Sequence, residues 1–245
     1  MDTLAIDEMY RLEDHHWWFV GKRLLVDALL QDVLRDGRPR ILDVGCGTGA
    51  VLAHLRHRAS TVGVDRSLQA LAYCRRRGLA ALACADGDRL PFAPGSFDAV
   101  LLLDALEHVV EEAVLLDAVR SLLRPGGWLL VSVPAYQFLW SEHDEVLHHV
   151  RRYTGRSLRR ALDRSRFDVH RLTYTNVAAL PPAVLVRGIL GRLGLMRHSG
   201  TDFEVQAPWL NGALTAAYRL EATALRHVRR LPFGLSVAAL ATPAA

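Results

Sequence analysis

Residues 40–49, Arg-Ile-Leu-Asp-Val-Gly-Cys-Gly-Thr-Gly, constrain the fold more tightly than any other stretch of the chain. Ile41, Leu42 and Val44 read as a buried parallel strand that stops at three glycines and re-enters a helix near Ala50. Glycine serves where the backbone takes positive φ, and where a ligand must approach the main chain with no Cβ in the way. Free amides at the start of the next helix suit an anionic or polar ligand group. A strand, a glycine turn and a helix place that ligand at the carboxyl end of the sheet, where open α/β folds bind their ligands.

The spacing of the glycines narrows the choice. Gly45, Gly47 and Gly49 form Gly-x-Gly-x-Gly, not the Gly-x-Gly-x-x-Gly of dinucleotide-binding folds. Residues 61–65 follow as a second apolar strand closed by Asp65, and a carboxylate there can accept both hydroxyls of a ribose. Further on, Leu90-Pro91-Phe92 precedes Ser96-Phe97-Asp98, and residues 104–109 read Asp-Ala-Leu-Glu-His-Val. These elements together resemble the class I S-adenosylmethionine-dependent methyltransferases. The Leu-Glu-His-Val segment resembles the ubiquinone- and menaquinone-type branch of that family.

Composition is compatible with this. The chain has 245 residues, 23% charged and 51% hydrophobic, enough for one α/β domain with a substantial core. The net charge of +4 is almost all arginine, Lys22 being the single lysine. Basic residues are dispersed with no aromatic-interleaved patch, so no nucleic acid is expected. Cys46, Cys74 and Cys84 have no metal or disulfide spacing, which fits a reducing cytoplasm. Residues 1–13 are acidic and polar, unlike a signal peptide, and the apolar run 177–196 is interrupted by Pro181-Pro182, Arg187 and Arg192.

The periodicity predicts alternating strands and helices. Residues 4–34 read as helical, 50–58 as a helix, and Ser67 as the cap of a helix running to about 77. Strands are predicted over 79–83, 97–103 and 128–133, with a helix over 111–123 stopped by Arg124-Pro125-Gly126-Gly127. After a polar, His-rich connection come a short helix at 157–163 and a strand at 167–174. Two helical stretches follow, 178–196 and 208–230, and a final strand at 236–241. The resemblance implies a Rossmann-like seven-stranded sheet of order 3-2-1-4-5-7-6 with the last strand antiparallel. The expected organisation is one methyltransferase domain over 1–245. It comprises an N-terminal helical cap (1–36), a cofactor-binding core (37–134), an acceptor loop (135–156) and a helical insertion (177–230).

The resemblance also implies residue roles, with S-adenosylmethionine as cofactor. Asp43 would orient its amino-acid part against the turn of Gly45, Cys46, Gly47 and Gly49, and Asp65 would clamp its ribose. Asp86, the Gly87 amide and Leu90 would lie about the adenine, and Asp104 along the methionine side; Arg66 either stacks near the adenine or is solvated. Residues 15–23, with Trp17-Trp18-Phe19 and Gly21-Lys22-Arg23, resemble a His-x-Trp-Trp … Gly-x-Arg opening found in one bacterial branch. There the aromatics either anchor a helix or cap the cofactor, with Arg23 reaching its carboxylate and Trp17 facing the acceptor.

Residues 140–154 hold His143, Asp144, His148, His149, Arg151, Arg152 and Tyr153 just after strand five, and so over the cofactor edge of the sheet. Three readings are open. In the first, His143 is a general base oriented by Asp144, while His148, Arg151, Arg152 and Tyr153 bind an anionic or hydroxylated acceptor. The second is a metal site using Asp144 and His148 with His143 or His149, although no metal requirement is assigned. The third is a salt-bridged structural loop. His108 is a second candidate base. The expectation is methyl transfer to an oxygen or nitrogen of a small molecule, lipid-linked or glycan acceptors included. A nicotinamide-dependent oxidoreductase and an inactive cofactor-binding regulatory protein are the alternatives. The apolar insertion is expected to serve as a lid, a homodimer surface or a peripheral membrane contact.

Overall fold

A computed structural model of the chain describes residues 3–35, 37–87, 89–190 and 207–244. One seven-stranded sheet has the order β3-β2-β1-β4-β5-β7-β6. Its members are β1 (Arg40–Val44), β2 (Ser60–Asp65), β3 (Leu82–Cys84), β4 (Phe97–Leu103), β5 (Leu123–Pro134), β6 (Phe167–Thr175) and β7 (Ser236–Pro243). The first five run parallel, and β7 pairs antiparallel with both β5 and β6. The expected order is the observed one.

Alternation along the strands builds two apolar layers, because successive side chains point to opposite faces. Leu42, Val44, Val100 and Val131 face one way, onto α5 (Glu112–Leu122) and α7 (Gly155–Arg164). Ile41, Ala99, Leu101 and Leu130 face the other, onto α2 (Trp17–Leu29) and α9 (Pro208–Leu225). Burial on both faces explains why β4 reads as a continuous apolar run.

Several expected boundaries move for local reasons. The predicted helix 4–34 breaks into α1 (Thr3–Leu12) and α2, because His16 caps α2 by accepting the Trp18 amide through Nδ1. Strand three begins at Leu82, not 79, because Gly78 (φ 78°) and Leu79 end the preceding helix α4 (Leu68–Arg76), with Leu79 N donating to Cys74 O. Residues 124–127 do not separate helix from strand, since β5 already starts at Leu123. Between residues 135 and 154 the polar connection forms α6 (Glu142–Val146), and Ala135 pairs with Tyr153 in an isolated parallel bridge.

The insertion divides. α9 packs as part of the sheet layer, with Tyr218, Ala222 and Leu225 buried against α2, so this half is core and not a lid. Gly21 makes that approach feasible, because a Cβ there would run into the Tyr218 ring. The other half forms α8 (Leu180–Ala183) and a π-helical stretch, Val184–Leu190; the predicted helix beyond 190, Leu193 included, lies outside the described residues. Among the described residues no helix is long and apolar enough to cross a membrane.

Candidate functional site

The carboxyl ends of β1, β2, β4 and β5 meet at one edge, and the sequence-predicted residues converge there. At the end of β1 the chain turns through Gly45, Gly47 and Gly49, all at positive φ (77°, 54° and 86°), before α3 (Ala50–Leu55). The Gly45 and Cys46 amides donate to Val64 O, tying the turn to β2. Asp65 closes the link: Oδ2 accepts the Gly47 amide at 2.9 Å, and Oδ1 accepts the Ser67 amide at 2.8 Å. Both oxygens are thereby oriented without a side-chain cation.

Asp43 is buried beneath this turn, and its Oδ1 has no hydrogen-bond partner. Burial first, then the neighbouring Asp65 and Glu13 carboxylates, push its carboxyl up to about 7. Glu13 comes from the connection between α1 and α2; its Oε2 accepts from the Thr48 hydroxyl and pairs with Arg77 at 3.2 Å. Arg23 donates to the carbonyls of Glu13 and Asp14, so it buttresses the cap and is already engaged by protein groups. Trp17 also differs from expectation. It is buried in the layer between α2 and α9, with its amide donating to Asn211 Oδ1, because its position on α2 faces the sheet and not the site.

On the far side of β1, Asp86 and Arg66 are exposed, Leu90 packs against the core, and Gly87 sits against Leu115. Asp104 ends β4 at φ 53°, an uncommon conformation for a residue with a Cβ. The Lys22 ammonium, itself buried, holds Asp104 at 2.8 Å and also donates to the Ser132 hydroxyl at 3.0 Å. Lys22 thus joins the N-terminal cap to the ends of β4 and β5.

The short 3₁₀ turn Leu106–His108 follows, with Ala105 against Gly45 of the glycine turn. Glu107 is fully buried, and neither carboxyl oxygen has a partner. Burial and then the nearby Asp104 carboxylate raise its pKa well above the ordinary carboxyl value. A carboxyl oxygen of Glu107 and ring nitrogens of His108 and His149 lie within 4.8 Å of one another.

His149 connects this cluster to the loop after β5. Its Nδ1 meets Asp144 Oδ1 at 2.8 Å, and Arg152 grips the same carboxylate through Nε and Nη2, each at 2.8 Å. The Ser141 amide supplies a fourth bond at 2.9 Å, filling the acceptor capacity of Asp144. Burial opposes ionisation of Asp144, but the bonds from His149 and Arg152 outweigh it and hold the carboxyl well below its ordinary range.

This arrangement corrects the expected division of labour. Asp144 orients His149, and a carboxylate so engaged has no lone pair left for a metal. Arg152 is locked in the buried pair. Arg151 donates to the carbonyls of Val109 and Val110 and pairs with Glu112. Tyr153 is buried with its hydroxyl on Glu112 Oε2 at 2.7 Å. Arg151 and Tyr153 fasten the loop to Val109, Val110 and the start of α5, and Arg152 ties the loop to itself, which is the salt-bridged reading. His148 is exposed at φ 58°. Burial, then Arg187, lowers His143 to about 3; burial, then His149, lowers His108 to about 4.

Glu13, Lys22 and Glu107 gather at this edge without having been assigned to it from sequence, and His149, read there only as an alternative metal ligand, joins them. Lys22 had a signal, as the single lysine of an arginine-rich chain. Glu13 became visible only through partners far away in sequence, Thr48 and Arg77.

Comparison with known proteins agrees with this fold. Residues 42–131 match a family model described as a methyltransferase domain. A ubiquinone biosynthesis O-methyltransferase of Chromobacterium violaceum is 29% identical over 148 residues, covering 54% of this chain and 63% of the relative. The chain spans about half the length of such curated relatives, between 41% and 63% of each. A methyltransferase solved in complex with the Haloferax volcanii Trm112 activator superposes with a TM-score of 0.63 at 17% identity, over 99% of this chain and 95% of that one. An S-adenosylmethionine-dependent methyltransferase of Thermotoga maritima superposes with a TM-score of 0.58 at 16% identity, over 97% of this chain and 98% of the other.

Proposed function

We propose that this chain, which carries a class I S-adenosylmethionine-dependent methyltransferase domain, methylates a hydroxyl group of a small-molecule acceptor. The observation that carries the reading is the clasp between the Gly47 amide and Asp65, on the same sheet edge as the cluster of buried Glu107 with His108 and His149. Oxygen is preferred over nitrogen because the similar ubiquinone biosynthesis proteins are named O-methyltransferases.

The residues fit the cofactor on two observations. The orphan Oδ1 of Asp43, near Glu13 and Asp65, is a carboxylate environment suited to a cationic ligand. The glycine turn takes positive φ at Gly45, Gly47 and Gly49 and packs closer than a side chain would allow, Gly47 against Met9 and Gly49 against Cys74. Asp43 and the turn of 45–49 would hold the amino-acid end, and Asp65 the ribose. Asp86, Gly87 and Leu90 would lie about the adenine, with Asp104 on the methionine side. The cofactor supplies a methyl group on a sulfonium, a good leaving group.

What is left for the chain is to align the acceptor oxygen, exclude water and remove one proton. A histidine of the cluster performs the last task. We read residues 1–245 as one catalytic unit: the cap bears on the cofactor end through Glu13 and Lys22, and the loop 135–156 covers the acceptor end.

Thermal unfolding with S-adenosylhomocysteine, with NAD and with neither tests the donor. The homocysteine compound is expected to raise the midpoint and NAD to leave it unchanged; the reverse pattern would overturn the reading.

A further inference from the structure

We propose that His149, oriented by Asp144, is the group that accepts the acceptor's hydroxyl proton; this rests on the function proposed above and names its base. The first support is the Asp144–His149 bond of 2.8 Å, made through Nδ1. Asp144 can only accept here, because Arg152 and the Ser141 amide hold it as a carboxylate. His149 must therefore donate Nδ1–H, and in the neutral ring Nε2 keeps the lone pair. A carboxylate that fixes a histidine tautomer and steadies the cation formed on protonation is the arrangement a general base needs.

The second support is what surrounds the ring. His149 packs edge-on to His108 with centroids 4.7 Å apart, in the cluster that contains Glu107. Glu107 is a wholly buried carboxyl group with both oxygens unpartnered. Leaving such a group unbonded is unfavourable, and a polar ligand in the cluster would supply the missing hydrogen bonds. The cluster follows Ala105, which touches Gly45, so it adjoins the cofactor turn.

The two other histidines are poorer bases by their surroundings. His143 is pressed by burial and Arg187, and His108 by burial and His149 itself. In the step, the acceptor O–H bond breaks and its proton passes to His149 Nε2. The electron pair stays on the oxygen that takes the methyl group, and sulfur keeps the pair of the broken carbon–sulfur bond.

Two measurements test this. Nitrogen NMR of ¹⁵N-histidine protein, with His149→Gln supplying the assignment, reads the ring directly and needs no acceptor. In the singly protonated ring the proton is expected on Nδ1. A singly protonated ring carrying it on Nε2 would overturn the proposal. Methylation of phenol and of 4-nitrophenol is then compared at a pH where only the second is ionised. His149→Gln is expected to lower the phenol-to-nitrophenol rate ratio about 100-fold. An unchanged ratio, whether both rates fall together or neither falls, would mark His149 as structural. If the wild type methylates neither phenol, the NMR result decides. Loss of the S-adenosylhomocysteine response in the wild type would instead refute the proposed function.

Discussion

Asp144 and Arg152 form a two-pronged buried ion pair, Nε to Oδ1 and Nη2 to Oδ2, each at 2.8 Å, with almost no solvent exposure on either side chain. This pair is the pivot of the loop after β5. It holds the carboxylate that in turn holds His149, and it anchors residues that would otherwise be a polar connection. Removing one partner leaves a buried charge without compensation. Arg152→Met is therefore expected to destabilise the fold by about 3–5 kcal/mol in urea denaturation. Replacing both partners with apolar residues should cost less than the two single changes added together.

The same pair predicts an acid limb. The folded carboxyl of Asp144 titrates below its unfolded value, so its contribution is present at neutral pH and lost as pH falls below about 4. Melting temperature followed from neutral pH downward should fall less steeply in Asp144→Asn than in the wild type, from a lower starting point. Parallel curves would show that Asp144 is not the group responsible.

Asp43 should tune donor binding. Its carboxyl, raised to about 7, is partly protonated at neutral pH, and only the ionised form attracts an ammonium group. Calorimetric affinity for S-adenosylhomocysteine should rise as pH increases through about 7 and level off above it. In Asp43→Asn the affinity should be weaker and the rise absent.

Asp65→Asn should bind S-adenosylhomocysteine poorly. A ligand at about 100 times its dissociation constant adds about 2.7 kcal/mol to wild-type stability. Most of that gain should vanish in the variant, because an amide group cannot accept two ribose hydroxyls while still serving the Gly47 and Ser67 amides.

Gly21→Ala tests whether α9 belongs to the core. The added methyl would enter the Tyr218 ring, so the two helices must part. A loss of about 1–3 kcal/mol is expected in urea denaturation. A neutral effect would mean that the α2–α9 contact yields easily.

Much of this molecule was readable from the chain alone, for local reasons. Apolar runs bounded by glycine and acids set the strands of the parallel half, and Gly45, Gly47 and Gly49 marked a turn that few other residues could make. Asp65 was legible because its role depends only on ending the strand beside that turn. Boundaries were less legible where a cap competed with a period, as at His16 and Gly78.

Partner choice was a different matter. Arg151, Arg152 and Tyr153 resemble ligand-binding residues in a linear text, yet Glu112, Asp144 and the carbonyls of Val109 and Val110 claim them. Asp144 lies next to His143 in sequence but bonds His149, because a short helix turns the intervening residues and brings position 149 back to it. Lys22 and Ser132 meet across 110 positions, and Glu13 and Thr48 across 35. The sequence by itself determined the alternation of strands and helices, the glycine turn and the acid that ends strand two, since those follow from backbone conformation and hydrophobic period. The strand order followed from the family resemblance. Tertiary structure alone decided which charged groups are spent on one another and which remain for chemistry, since that depends on who is buried beside whom.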